Sequence, residues 1–388
     1  MTTAIIITFC ILLLVAYVFD LTSSKTKIPS VILLLVLGWF SRYLSQVLGI
    51  LLPDFSVFLP VLGTIGLILI VLEGSLELEL NASKIKLIKI TLWGALVPIV
   101  VLSIFFAAYL TYFGGYDWKT SLANVVPLCV ISSAIAIPSV QNLSGSKREF
   151  VIYESSFSDI IGVVLFNFLA YNSVINGRAF LMFGAQLLII IAVSLVATFG
   201  LSFMLGKIEH RIKFIPIILI IILIYAVSKE YHLPSLVFIL IFGLIMGNLN
   251  ELKRFGWLAA WETGSLQTEV HRFHEVTTEA AFLVRTLFFL LFGYLINEHD
   301  VINLHTLPLS LSVVGIILLV RIIQLKTSGI HLAPLAFVAP RGLITILLFL
   351  SIPAGQSIPL VDGALIIQII LIMALIMMGG LMIAKQGS

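Results

Sequence analysis

The sequence predicts an all-α membrane protein of about thirteen transmembrane helices in two inverted-topology repeats, with breaks in helices 5 and 12. Three observations predict it. Of the 388 residues, 60% are hydrophobic and only 11% charged, and the mean hydropathy of +1.18 is far above that of soluble domains. Apolar stretches near the roughly 20-residue spanning length recur from end to end, without the polar-in, apolar-out alternation of a barrel. A proline-serine-apolar-glycine segment also occurs twice, seven spans apart.

The spans, in order, cover residues 3–20, 28–48, 57–73, 87–112, 121–141, 150–172, 180–206, 213–228, 234–249, 276–297, 307–325, 332–352 and 360–384. The first lacks a charged leader and a small-residue cleavage site, so it reads as a mature span and not as a signal peptide. Cys10 and Cys129 fall within spans without metal or disulfide spacing and read as small packing residues.

The formal net charge of +3 matters less than its distribution. Loops after odd-numbered spans hold Lys25, Lys27, Lys84, Lys86, Lys89, Lys147, Arg148, Lys207, Arg211, Lys213, Lys253, Arg254, Arg272 and Lys326, whereas even-numbered loops hold Arg42, Lys119, Arg178 and Lys229. By the positive-inside rule the N-terminus lies outside and the C-terminus, with Lys385, in the cytoplasm. The chain reads as a single transport domain: repeat one about 3–172, a linking helix about 180–206 and repeat two about 213–384. No soluble regulatory domain is expected.

The repeat is visible in spans 2 and 9, where Ile28-Pro29-Ser30 leading to Gly38 matches Leu233-Pro234-Ser235 leading to Gly243. Spans 3 and 10 echo one another more weakly, with Gly74 aligned to Gly293. Copies seven spans apart enter the membrane from opposite sides. Such transporters place interrupted helices at matching positions in each half, near the substrate site. Span 5 carries Pro127 and Pro138 around Ser132-Ser133-Ala134, and span 12 carries Pro334, Pro340-Arg341-Gly342 and Pro353. Each proline removes an amide and frees a carbonyl to face water or a cation.

Span 6 carries the chemistry. Glu154 and Asp159 sit in an otherwise apolar run from Val151 to Leu169, where a carboxylate costs roughly 2.5–3.5 kcal/mol and usually marks an ion path or proton relay. Ser155 and Asp159 share a helix face, as do Glu154 and Ser158, so the two acids diverge. Oxygens of this kind suit a hard monovalent cation. Asp159, nearest the middle of the span, is the expected carrier of either a proton or a cation. Glu154 reads as one half of a salt bridge before it reads as a ligand, with Arg285, Arg321 and Arg341 as candidate partners. A guanidinium in hydrocarbon must face the bundle interior and find a carboxylate or helix-end carbonyls.

Glu73, Glu77 and Glu79 read most simply as a solvated loop, with Glu73 also a candidate ion-pair or structural residue alongside the three arginines. His271 and His274 could titrate near neutrality as a pH sensor, although an exposed amphipathic linker is the plainer reading. The sequence shows no nucleophile beside a base, no metal-ligand cluster and no phosphate-binding glycine loop, so an enzyme is not expected.

These residues resemble the bacterial monovalent cation:proton antiporters of the sodium/proton exchanger (NhaP and NHE) type. Leu72-Glu73-Gly74-Ser75-Leu76-Glu77-Leu78 is similar to that family's FEGGLxL motif, and Glu154-Ser155-Ser156-Phe157-Ser158-Asp159 to its ESLxND. Arg285 to Gly293 resembles the span-10 signature and Arg341-Gly342-Leu343 the LRG motif of span 12. The resemblance implies crossing of the broken helices 5 and 12, a homodimer in the cell inner membrane, elevator-like motion and a role in pH homeostasis. It implies that Asp159 is the cation and proton site, that Ser155 is an added ligand beside Ser158, Ser132 and Ser133, and that Glu154 is the acid of an ion pair. Arg285, Arg321 and Arg341 would be basic partners.

Two departures stand out. Ser158 replaces the usual Asn before the aspartate, and Ser132-Ser133-Ala134 replaces Thr-Asp-Pro, closer to the Ser-Ser-Thr of the potassium-efflux branch. With one central carboxylate, the expected activity is electroneutral exchange of a monovalent cation, foremost Na+, for H+. The alternatives are K+/H+ antiport, or a gated pore or sensory subunit on the same scaffold. The expected partners are Na+ (or K+ or Li+), H+, lipid and a second copy of the chain, with no nucleic acid and no cofactor.

Overall fold

The computed structural model describes residues 2–26, 28–47, 55–80, 82–172, 175–207, 213–252 and 263–383, and among them helix is the only extended regular structure. The first repeat comprises α1 (Thr2–Thr26), α2 (Ser30–Val47), α3 (Phe58–Glu77), α4 (Ile85–Gly114), the broken pair α5 (Trp118–Cys129) and α6 (Ser133–Ser139), and α7 (Gly145–Tyr171). After α8 (Gly177–Lys207) come α9 (Phe214–Glu230), α10 (Ser235–Gly247), the short α11 (Leu249–Leu252), α12 (Thr263–Leu295), the short α13 (Glu298–Val301), α14 (Leu307–Thr327), α15 (Leu343–Leu350) and α16 (Gly363–Ile383).

Among the described residues, nine spans meet simple length and hydropathy requirements for crossing a membrane. Four more complete the thirteen. The helix α7 holds the two acids Glu154 and Asp159 within its apolar run, α9 and α10 are short, and span 12 is broken around 338–342. Lys27, Arg211, Lys253, Arg254 and Lys385 lie outside the described residues.

Local chemistry sets the helix ends. Asp117 accepts hydrogen bonds from the amides of Lys119 (3.1 Å) and Thr120 (3.2 Å), satisfying two first-turn donors of α5. Gly115, at φ 70°, ends α4 in a left-handed residue and returns its amide to Leu110 and Thr111. Span 10 is longer than expected, because α12 continues back through His271 and His274 to Thr263. Glu73 and Glu77 are not in a loop: α3 runs on to Glu77, and Glu73 is half-buried against α12, whose Thr278 hydrogen-bonds it and whose Arg285 faces its charge.

The inverted repeat appears in the packing. Helix α2 packs on α12, and the equivalent helix α10 packs on α3. A Cβ on Gly38 would lie 2.8 Å from the Tyr294 amide and collide with the Leu290 carbonyl; one on Gly293 would lie 2.8 Å from the Leu35 Cα. A Cβ on Gly243 would collide with the Ser75 side chain, and one on Gly247 would collide with the Leu76 carbonyl, whereas Gly74 faces Ser156 of α7. Gly38 and Gly293 thus let the backbones of α2 and α12 meet, and Gly243 and Gly247 let α10 close on the end of α3, as small residues do between membrane helices.

Buried amides pin the ends of the bundle. Gln368 of α16 accepts from Ser310 (2.6 Å) and Thr306 (3.0 Å) and donates to the Asn303 carbonyl (2.9 Å). Asn248 donates to the Leu78 carbonyl (2.7 Å) and accepts from the Leu80 amide (2.5 Å), fixing the exit of α3. At the same end Lys84 bridges Glu79 and Glu149. Partial burial works against its charge, but the two carboxylates outweigh that and hold the ammonium above its ordinary range. Its contribution to stability is therefore complete at neutral pH and is lost only in strong alkali, as pH rises through that raised value.

Gly38→Val should force α2 off α12, with an overpacking cost of roughly 1–3 kcal/mol or more. Thermal unfolding in detergent should show a clear drop in Tm for G38V. Gly184→Ala, where a Cβ meets nothing within 4 Å, should leave Tm unchanged.

Candidate functional site

Two interrupted helices meet in the middle of the bundle. The helix α5 ends at Cys129, Val130 to Ser132 run extended, and α6 starts at Ser133. In the second repeat, residues 338–342 run without helix between the turn at 333–337 and α15. The two non-helical stretches touch where the Ser132 amide donates to the Pro340 carbonyl at 2.9 Å. Gly342 permits the approach, because a Cβ there would collide with Ile135 and lie 3.1 Å from the Ser132 hydroxyl. Pro340 lies within its break, whereas Pro127 and Pro138 lie inside α5 and α6 and flank theirs.

Helix α7 lines this crossing. Asp159 is 1% exposed. Its Oδ2 accepts from the Ser133 amide (3.2 Å) and from the Ser133 hydroxyl, so the carboxylate covers the start of α6. Among the described residues its Oδ1 has no hydrogen-bond partner, and neither does the buried Ser132 Oγ. The neighbouring Ser158 hydroxyl accepts from the Ile131 amide at 2.8 Å and so holds the extended stretch against α7. Ser155 donates to the Val151 carbonyl of its own helix (2.7 Å). The site thus offers a carboxylate and hydroxyl oxygens in a dry interior, a donor set suited to a proton or a hard cation.

The second acid is engaged differently. Glu154 forms a buried ion pair with Arg321 of α14, the partner that the sequence left open among three arginines. Gln324, one turn on, donates to the same Glu154 oxygen (3.0 Å) and accepts from Arg321 (2.9 Å), closing a three-membered ring. Arg321 also donates to the carbonyls of Leu335 (3.2 Å) and Val338 (3.3 Å), and its guanidinium lies 5.9 Å from the Phe150 ring centre. A buried pair is tolerable when further hydrogen bonds support it, as Gln324 and the two carbonyls do here.

Arg341, also 1% exposed, takes the other option the sequence allowed, helix-end carbonyls. It donates to Leu128 (2.8 Å), Ala339 (2.6 Å) and Cys129 (3.3 Å), placing a positive charge at the C-terminal end of α5. Arg285 joins neither cluster and faces Glu73. Gln324 escaped the sequence reading. Its signal was a lone amide one turn after an arginine in an apolar span, and such a residue is seldom idle in hydrocarbon.

A family model described as "Sodium/hydrogen exchanger, transmembrane" matches residues 9–385. Among solved structures, the sodium proton antiporter MjNhaP1 from Methanocaldococcus jannaschii at pH 8 superposes with a TM-score of 0.72 at 18% identity, covering 100% of both chains. An electron-microscopy map of the same antiporter gives a TM-score of 0.69 at 17% identity, over 97% of this chain and 94% of that one. At this identity the superposition establishes the fold. No curated protein matches the chain significantly.

Glu154→Gln should leave the buried Arg321 charge uncompensated and lower stability by about 3–5 kcal/mol. Gln324→Leu, which removes one bond to each partner, should cost about 1–3 kcal/mol. Thermal unfolding of purified protein in detergent should rank E154Q well below Q324L, and Q324L below wild type.

Proposed function

The chain belongs to the sodium/hydrogen exchanger family, and from that premise we propose that it exchanges cytoplasmic Na+ for H+ one for one, with Asp159 as the alternating carrier. Membership makes it a multi-pass transporter of cations and protons, not an enzyme. The observation that carries the finer reading is the buried Asp159 carboxylate, which has one oxygen without a hydrogen-bond partner among the described residues and Ser133 on the other. Such a group must hold a positive charge to remain ionised in a dry interior, and a proton and a metal ion compete for it.

Electroneutrality follows from the use of a single carboxylate, because Glu154 is already committed to Arg321. Alternating access follows from burial: with Asp159 1% exposed, the surrounding helices must move for an ion to reach it from either side. An elevator-like shift of the crossing against a scaffold is the motion we assign. The scaffold would be a homodimer in the plasma membrane, with the N-terminus outside by the distribution of Lys and Arg. The repeats would divide as read from the sequence, with α8 linking them. Selectivity for K+ is the second reading, favoured by the serines that stand where a span-5 acid would add charge.

Asp159→Asn should abolish transport. In proteoliposomes with an internal pH dye, wild type should show Na+-dependent dequenching and D159N none; retained signal in D159N would overturn the assignment. Titrating Na+, Li+ and K+ against one preparation should give the lowest half-saturating concentration for Na+. On solid-supported membranes, no current that reverses with membrane potential should accompany exchange.

A further inference from the structure

The side-chain oxygens at the crossing described so far all come from the first repeat. One buried hydroxyl of the second repeat has the same unusual status. Thr345 is fully buried, and among the described residues its Oγ1 has no hydrogen-bond partner, a condition it shares with Asp159 Oδ1 and Ser132 Oγ. A threonine in a membrane helix ordinarily returns its hydroxyl to a carbonyl three or four residues back. Thr91, Thr277 and Thr327 of this chain do so, whereas the buried Thr198 of α8, like Thr345, has no partner among the described residues. An orphaned buried hydroxyl is costly and calls for an explanation.

The position of Thr345 supplies one. It lies on the first turn of α15, three residues after Gly342, the residue that comes against Ser132. Helix α15 packs on α3, α5 and α7. Its α3 side is taken by Leu343 and Leu347, which meet Gly66 and Gly63 of α3. Thr345 lies two residues from each, on the face of the helix away from α3, and the other helices that α15 packs on are α5 and the α7 that carries Asp159.

We propose that Thr345 supplies a further oxygen ligand to the transported cation, so that both repeats contribute to the site: Asp159 and Ser132 from the first, Thr345 from the second. A small monovalent cation stripped of water needs several oxygens, and without a span-5 acid this chain must draw them from hydroxyls and carbonyls. A ligand on the second broken helix also couples cation occupancy to the position of α15. The inference rests on Asp159 being the exchange site, and the experiment separates the two.

Thr345→Ala and Thr345→Ser differ only by the hydroxyl. In proteoliposomes, T345A should raise the half-saturating Na+ concentration about three- to tenfold, as expected for one lost oxygen contact, while T345S stays near wild type. The Na+-dependent rise in Tm of detergent-purified protein should shrink in T345A and persist in T345S, a binding readout independent of transport. Equal half-saturation and equal Na+-dependent stabilisation in T345A and T345S, alongside an inactive D159N, would overturn the Thr345 assignment alone. Transport retained in D159N would overturn the site itself.

Discussion

Hydrocarbon offers no hydrogen bonds, so a helix interrupted inside a membrane must have its open ends met by the protein itself. The arrangement at the centre of this chain follows from that requirement. Arg341 meets the carbonyls that end α5, Asp159 meets the amide that starts α6, and Arg321 meets the carbonyls of Leu335 and Val338 in the second broken span. Ser158 and Pro340 take the amides of Ile131 and Ser132 between them. The charged residues that looked like an ion-transport signature are therefore also what allows the backbone to be open there at all.

The two acids of α7 divide the work because they lie on different faces of one helix. Glu154 turns to α14, where Arg321 and Gln324 both meet its Oε1. Asp159 turns to α6 and keeps an oxygen free. Two carboxylates five residues apart on one helix are thus met differently, one by an ion pair and the other by the start of α6, and partners from other helices make the difference.

How much of this was legible beforehand depended on whether the signal was local. The spans, the aligned glycines and the isolated Asp159 and Glu154 were all legible, because hydropathy, repetition and the cost of burying charge are properties of short stretches. The identity of Glu154's partner was not, since three arginines met the same requirement and only the tertiary arrangement selects Arg321. The proline positions located the broken spans but not the break in span 5, which falls at 130–132 between Pro127 and Pro138. Glu73 reads locally as the start of a solvated acid series, and only its candidacy as an ion-pair residue anticipates Thr278 and Arg285, which lie on α12 some 200 positions away. Gln324 drew no notice, because a neutral amide shows its value only beside the pair it completes.

The grip of Arg321 has a mechanical corollary. One guanidinium holds a side chain of α7 and two carbonyls of the span-12 turn and break while anchored on α14, and bonds of this length do not stretch by ångströms. Any displacement of α7 that keeps these bonds would carry α14 and the segment from Leu335 to Val338 along with it as one carriage.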